Sequence, residues 1–317
     1  MTVSPPTPAT PTAGATPAAP AGGLSSALRA GGSLAGVGFF LLAIFLFGIM
    51  DSMIKGASAR YDTWQIMFFR GAFSLLPIAL LVRQSGGAAA LRSRHVVGHV
   101  LRSTMGVAAA YFFFWSYSRM PLADVYAIAF AAPLFMTALS VPVLKEQVGW
   151  RRWTAVLVGF GGVLIMLRPG QGVLGWVALM PLAGAFLYAL SMLYVRILAR
   201  SETNAAIVFY FIVTLTVVAG VVMIPVWRTP DLVDFALLAA IGVIGGAAQI
   251  VFTQAFRLTQ PALLAPFEYT GMLWAASFGY LFFGEVPDKA IWIGGAVVVA
   301  SGLYIIHRET VRSRQAA

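Results

Sequence analysis

Cysteine is absent from the 317 residues, which excludes disulfides and any metal site built on thiolates. Charge is scarce: Asp, Glu, Lys and Arg make up 10% of the chain, against about 25% in soluble domains. The three histidines, His95, His99 and His307, lack ligand spacing, so neither a metal nor any other cofactor is expected. A Gly-x-x-x-x-Gly-Lys-Ser/Thr phosphate loop is missing, so the chain does not itself hydrolyse ATP. These gaps argue against a soluble enzyme, a disulfide-stapled mini-protein and a polar disordered scaffold. What fills the chain instead is apolar: 60% hydrophobic residues, with a mean hydropathy of +0.85.

The net charge of +10 comes from 21 Lys and Arg against 11 Asp and Glu. No basic segment is long enough to read a nucleic-acid groove, so nucleic acid is not an expected partner. Basic residues in short loops serve another purpose, fixing orientation in a membrane.

Residues 1–34 are rich in Pro, Ala, Thr and Gly, with Arg29 as their one charge. Such a stretch buries too little apolar surface to offset its ordering entropy, and a disordered tail is expected. From residue 35 onward, long apolar runs alternate with short polar breaks. A hydrocarbon core about 30 Å thick needs roughly 20 helical residues. Runs of that order fall at 35–56, 63–83, 97–118, 122–143, 151–168, 173–198, 204–227, 235–257, 261–283 and 288–307. The expectation is an all-α membrane protein with ten transmembrane helices. With the N-terminus inside, 14 Lys and Arg fall on the cytoplasmic side and 6 outside, which places both termini in the cytoplasm.

The two halves resemble each other at an offset of 139. Ser52-Met53 matches Ser191-Met192, Gly106 matches Gly245, Ala108-Ala109 matches Ala247-Ala248, and Glu146 matches Glu285. After one inserted residue, Gly162 matches Gly302 and Arg168 matches Arg308. Five helices per repeat is an odd number, so the second half must enter the membrane from the opposite side. The expected architecture is two inverted-topology five-helix repeats, with substrate near the midplane between them. The boundaries read as a tail at 1–34, repeats at 35–170 and 171–310, and a cytoplasmic tail at 311–317.

Two segments carry a family likeness: Asp124 to Phe135 through Leu144-Lys145-Glu146 with Gly159–Pro169, and Pro266 to Thr270 through Phe283-Gly284-Glu285 with Gly294–Glu309. They resemble the paired repeats of the EamA branch of the drug/metabolite transporter superfamily. The likeness covers about residues 35–310. It implies a ten-helix inner-membrane carrier of small metabolites that works without ATP. Lys145 departs from the pattern, since the family usually has Gly before the glutamate; Gly284 keeps it. Asp51-x-x-x-Lys55 with Arg70 is similar to members that take up S-adenosylmethionine or riboflavin. A small-molecule substrate of that kind, or an amino acid, is the implied partner, together with membrane lipid. A monomer and a homodimer both remain open.

Ionisable groups inside spans are the strongest signal for a site, because each costs roughly 2.5–3.5 kcal/mol near a helix centre unless paired or facing water. Asp51 and Arg70 each lie about 10 Å from the outer end of their helices at 1.5 Å per residue. Lys55 is one turn from Asp51 on the same face. The three can form a structural ion pair between the first two helices or an electropositive subsite for a carboxylate or phosphate. Glu268 follows Pro266 in the ninth run, where a proline break is tolerated if it lines a cavity. It is a candidate for binding a cationic group or for proton coupling. Its repeat partner is Ala129, so, like Asp51 and Arg70, it has no charged counterpart in the other half. Gln249, Tyr269 and Trp274 are candidates to add hydrogen bonds and stacking surface. Glu146 and Glu285 at helix ends, with Pro133 and Pro266, are read as structural or gate residues. A membrane-embedded transferase is the alternative function, but it would need a carboxylate cluster for Mg²⁺ or a histidine base, so no residue is assigned a catalytic role.

Overall fold

A backbone surrounded by lipid must satisfy its own N–H and C=O groups, which leaves the helix as the natural form for an apolar chain. The computed structural model describes residues 23–93, 95–145, 148–167, 174–259 and 261–316, and all regular structure among them is helical. Helices α1 (Gly23–Ala57), α2 (Thr63–Gln84) and α3 (Val96–Tyr117) lead to a broken rod, α4 (Leu122–Ala129) and α5 (Ala132–Leu144). After α6 (Trp150–Leu167), the short α7 (Leu174–Val177) runs into α8 (Leu179–Leu198). Then come α9 (Asn204–Val222), α10 (Leu232–Leu258), a second broken rod made of α11 (Pro261–Glu268) and α12 (Thr270–Phe283), and α13 (Lys289–Ala316).

Seven segments are long and apolar enough to cross a membrane by length and composition: Leu34–Ala57, Thr63–Gln84, Val96–Tyr117, Leu122–Leu144, Leu179–Leu198, Asn204–Val222 and Leu232–Leu258. Trp153–Leu167 and Lys289–Ile305 are shorter apolar helices. Large hydrophobics such as Leu157, Leu164, Leu273, Leu281 and Phe282 stay exposed. A row of exposed apolar side chains is costly in water and suits a lipid-facing surface.

Helix starts follow local chemistry. Asp62 accepts from the Trp64 N–H at 2.8 Å, Thr203 from the Ala206 N–H at 3.0 Å, and Asp231 from the Asp234 N–H at 2.8 Å. Each side chain satisfies a donor that the first turn would leave open. The described part of α1 begins at Gly23, so its helix reaches back into the segment whose composition suggests a tail. Extending a formed helix costs far less than nucleating one. Residues 1–22 lie outside the described residues.

Packing partners exchange between the halves. α1 runs along α10, while α8, the repeat counterpart of α1, runs along α3, the counterpart of α10. α2 packs on its own counterpart α9 and α6 on its counterpart α13, while α4 packs on α12, the counterpart of α5. Small residues permit the closest approaches. A Cβ on Gly162 would stand 2.8 Å from the Gly294 carbonyl oxygen, so only glycine lets α6 and α13 meet there.

The broken rods are the least regular parts of the interior. The first turns at Phe130 and Ala131, with Pro133 in the first turn of α5; the second turns at Tyr269, with Pro266 inside α11. Each rod closes on a left-handed residue: Lys145 at φ 56° and its counterpart Gly284 at φ 66°. Lys145 is the one non-glycine residue with positive φ among those described.

Candidate functional site

Asp51 is 6% exposed on α1, and its Oδ2 accepts hydrogen bonds from Tyr117 of α3 at 3.0 Å and Tyr126 of α4 at 2.5 Å. Hydrogen bonds to a charged acceptor contribute about 1.5–3 kcal/mol each, enough to hold a carboxylate inside a bundle. Tyr126 reaches this position because Gly271 of α12 has no side chain: a Cβ there would stand 3.1 Å from the Tyr126 ring. Three elements of the first half and one of the second therefore meet at Asp51.

Arg70 lies within electrostatic range of Asp51 but forms no bond to it. Its Nε and Nη1 are buried without a hydrogen-bond partner, and its guanidinium lies 5.4 Å from the Phe114 ring centroid. Lys55 goes elsewhere. Its Nζ pairs with Glu285 at 2.6 Å and donates to the carbonyls of Tyr117 at 2.9 Å and Met120 at 2.8 Å. Glu285 in turn accepts from the Leu122 N–H at 3.1 Å. The structure thus separates Lys55 from the expected cluster with Asp51 and Arg70. The carbonyls of Tyr117 and Met120, at and just past the end of α3, and the Glu285 carboxylate are the acceptors for this ammonium, whereas Asp51 is already held by two tyrosines. The result is a latch joining the ends of α1, α3, α4 and α12.

The same end of the bundle carries further ties. Arg60 donates to Asp234 at 2.9 and 3.0 Å, and Tyr61 donates to Asp234 at 2.7 Å. The hydrogen bond to the Asp234 carboxylate raises the Arg60 guanidinium above its ordinary range. Gln65 and the Arg228 backbone exchange two hydrogen bonds, at 2.6 and 2.9 Å.

Glu268 stands at the break between α11 and α12. It is solvent-accessible, yet Tyr188 of α8 lies within its electrostatic range. Tyr188 also senses Arg102 of α3. Arg102 is 7% exposed, its guanidinium lies 4.1 Å from the Phe211 ring centroid, and its Nε and Nη1 have no hydrogen-bond partner. A desolvated cation–π contact gives about 2 kcal/mol, while burying a charge costs several. Arg102 is left undercompensated.

The remaining candidates fall into packing positions. The Tyr269 hydroxyl lies against Gly302 of α13, and its ring meets Phe130 edge-on at 5.0 Å. Trp274 meets Phe45 edge-on at 4.9 Å and lies against Gly48 of α1. Gln249 is half-buried on α10. Pro133 and Pro266 flank the two breaks. Glu146 lies outside the described residues. Sequence reasoning did not single out Tyr117, Tyr126, Arg102 or Tyr188. Arg102 counts as a loop charge by position, since it stands only six residues into α3. The one available signal was its place inside a span. Among the described residues, no group of three or more His, Asp or Glu could hold a metal ion.

Known proteins give this geometry a context. The EamA-like transporter family model matches residues 34–168 and again 175–307. The pseudopaline exporter CntI of Pseudomonas aeruginosa is 32% identical over 269 residues, covering 84% of this chain and 94% of the exporter. The S-adenosylmethionine uptake transporter of Rickettsia prowazekii is 29% identical over 282 residues, covering 87% and 94%. The riboflavin transporter of Vibrio cholerae is 28% identical over 286 residues, covering 89% and 96%. A protein solved by crystallography shares the fold at a TM-score of 0.60 and 17% identity, covering 88% of this chain and 97% of that one. With both halves matched in full by one transporter model, the chain belongs to the EamA-like transporter family and is a multi-pass membrane transporter rather than an enzyme.

Proposed function

We propose that the chain carries a small polar or zwitterionic metabolite across the inner membrane by alternating access, along a pathway between its two repeats. The observation that carries this reading is Glu268: an exposed carboxylate at a helix break, with Tyr188 of α8 within its electrostatic range. Carriers built from paired repeats bind substrate near the midplane where helices are interrupted. The reading includes ten spans, inverted repeats and cytoplasmic termini, supported by the exchange of packing partners and by the 14-to-6 distribution of basic residues.

In this reading Asp51, Arg70 and Glu268 line the pathway, and Gln249 borders it. Lys55 and Glu285 act as a gate on the outer side, so the conformation seen here is closed outside. The relatives carry S-adenosylmethionine, pseudopaline and riboflavin by name, and the cargo here belongs among polar molecules of that size. Glu268 exchanges a proton or a cationic substrate group as access alternates.

Uptake into proteoliposomes without ATP tests this reading, with S-adenosylmethionine, L-methionine and riboflavin as probes and a pH gradient imposed. Wild-type protein should accumulate at least one probe. Glu268→Gln should abolish the gradient-driven part and keep the fold. An unchanged pH profile in Glu268→Gln removes Glu268 from coupling, and no uptake under any gradient contradicts the carrier.

A further inference from the structure

The two ends of the molecule are equivalent by the repeat and unlike in charge. At the outer end the junction of α1 with α10 is sealed by Arg60 and Tyr61, which both donate to Asp234. The equivalent junction at the opposite end joins α8 to α3. The offset of 139 puts Ala199, Arg200 and His95 there in the places of Arg60, Tyr61 and Asp234. A base remains, but the acid of the seal has become a histidine. The next acid along the chain, Glu202, has a side chain only 4% exposed, engaged by Ser93 at 2.9 Å and lying 3.7 Å from His99.

In place of the seal is a groove of about 470 Å³ between the first turn of α3 and the end of α8, within the roughly 300–1,000 Å³ of ligand sites. Val96, Val97, Ile197 and Leu198 give it apolar walls, and His95 and Tyr194 a polar edge. Arg200 is exposed, next to Ser201 and three residues after Ile197, both of which line the groove. One turn further along α3, the exposed Val100 and Leu101 continue the apolar surface of Val96 and Val97. An apolar trough with a basic rim wants both a hydrocarbon and an anion. Free phosphate would meet the rim and leave the trough empty. A zwitterionic lipid would fill the trough but bring an ammonium against Arg200. Basic pockets between helices on the cytoplasmic side suit anionic headgroups.

We propose that the groove between α3 and α8 holds an anionic phospholipid, with its phosphate on the rim by His95 and Arg200 and an acyl chain along Val96, Val97, Val100 and Leu101. The lipid does at this end what Asp234 does at the other, supplying the negative charge that joins the two helices. The site is independent of the cargo; only its leaflet follows from the orientation above.

The test is native mass spectrometry of purified full-length protein in detergent, titrated with phosphatidylglycerol or with phosphatidylethanolamine of the same acyl chains. Wild-type protein should retain phosphatidylglycerol about fivefold more tightly, the attraction of one basic residue to an anionic lipid surface. Arg200→Gln should lose that preference. Arg257→Gln, which removes a base from the end of α10, where the partners are α1 and α2, should keep it. His95→Asp restores the acid of the outer seal at an N-cap position, where Asp is favourable. It should melt no lower than wild type and lose the preference for phosphatidylglycerol. The proposal is overturned if the two lipids bind alike, if Arg257→Gln loses as much as Arg200→Gln, or if His95→Asp keeps the preference. Displacement of the lipid by inorganic phosphate at the same concentration also overturns it, by making the groove a simple ion site.

Discussion

The charges of α1 and α2 are each set against a specific neighbour, and the neighbours differ in kind. Asp51 is held by two phenols, Lys55 by a carboxylate and two carbonyls, and Arg70 only by distance and an aromatic face. Asp51→Asn keeps an oxygen for the tyrosines but leaves Arg70 with no counter-charge in range. Each of Asp51→Asn and Arg70→Gln should lower the melting temperature, and the double variant should recover part of the loss. The coupling should be about 1–2 kcal/mol, the size of a through-space pair. Additive losses would show that the two do not interact. The latch makes a second prediction, and the absence of cysteine makes it clean to measure. Met120 is 5% exposed beneath the carbonyl that Lys55 holds. A single Met120→Cys should resist a membrane-impermeant maleimide added outside and become reactive when Lys55→Gln is added. Equal labelling in both backgrounds would remove the latch from gating. The charges themselves were legible in sequence, because an ionisable residue inside an apolar run is costly wherever it points. Their partners were not. Tyr117 and Tyr126 come from helices 66 and 75 residues away, and no spacing rule relates them to Asp51.

At the scale of elements, run length located the rods and missed their interruptions. The runs at 122–143 and 261–283 read as continuous, yet each is two helices with a turn between. Proline marked both places without deciding them: Pro133 sits in a first turn, where its missing N–H costs nothing, whereas Pro266 lies inside α11. The two rods end alike, and the repeat exposes a mismatch. Lys145 holds φ 56° where its counterpart Gly284 holds φ 66°, a conformation that costs a residue with a Cβ roughly 1–2 kcal/mol. Lys145→Gly should therefore raise the melting temperature, the gain in stability being about 1 kcal/mol after the extra freedom of the unfolded chain is counted. Gly284→Ala should lower it by a similar amount. A Lys145→Gly variant no more stable than wild type would mean that the lysine side chain returns the cost through contacts of its own.

For the whole molecule, one scaffold is used twice and charged once. The helix pairs α1–α10 and α3–α8 map onto one another when the halves are exchanged, and α2–α9 and α6–α13 map onto themselves, whereas Asp51, Lys55 and Arg70 correspond to Leu190, Tyr194 and Phe209. A symmetric frame can present its interior to either side with little change in packing, and an asymmetric lining keeps one binding chemistry in both states. In sequence the scaffold showed as a persistent offset of 139, while the lining showed only as residues that break it. The central claim, that a single site is exposed to each side in turn, is tested most directly by counterflow. Proteoliposomes loaded with excess unlabelled substrate, with no ATP and no ion gradient, are given a trace of labelled S-adenosylmethionine, L-methionine or riboflavin outside. Alternating access predicts a transient accumulation of label above its external concentration, driven by outward exchange and lost in Asp51→Asn. Label that only equilibrates, at a rate indifferent to the internal load, would contradict it.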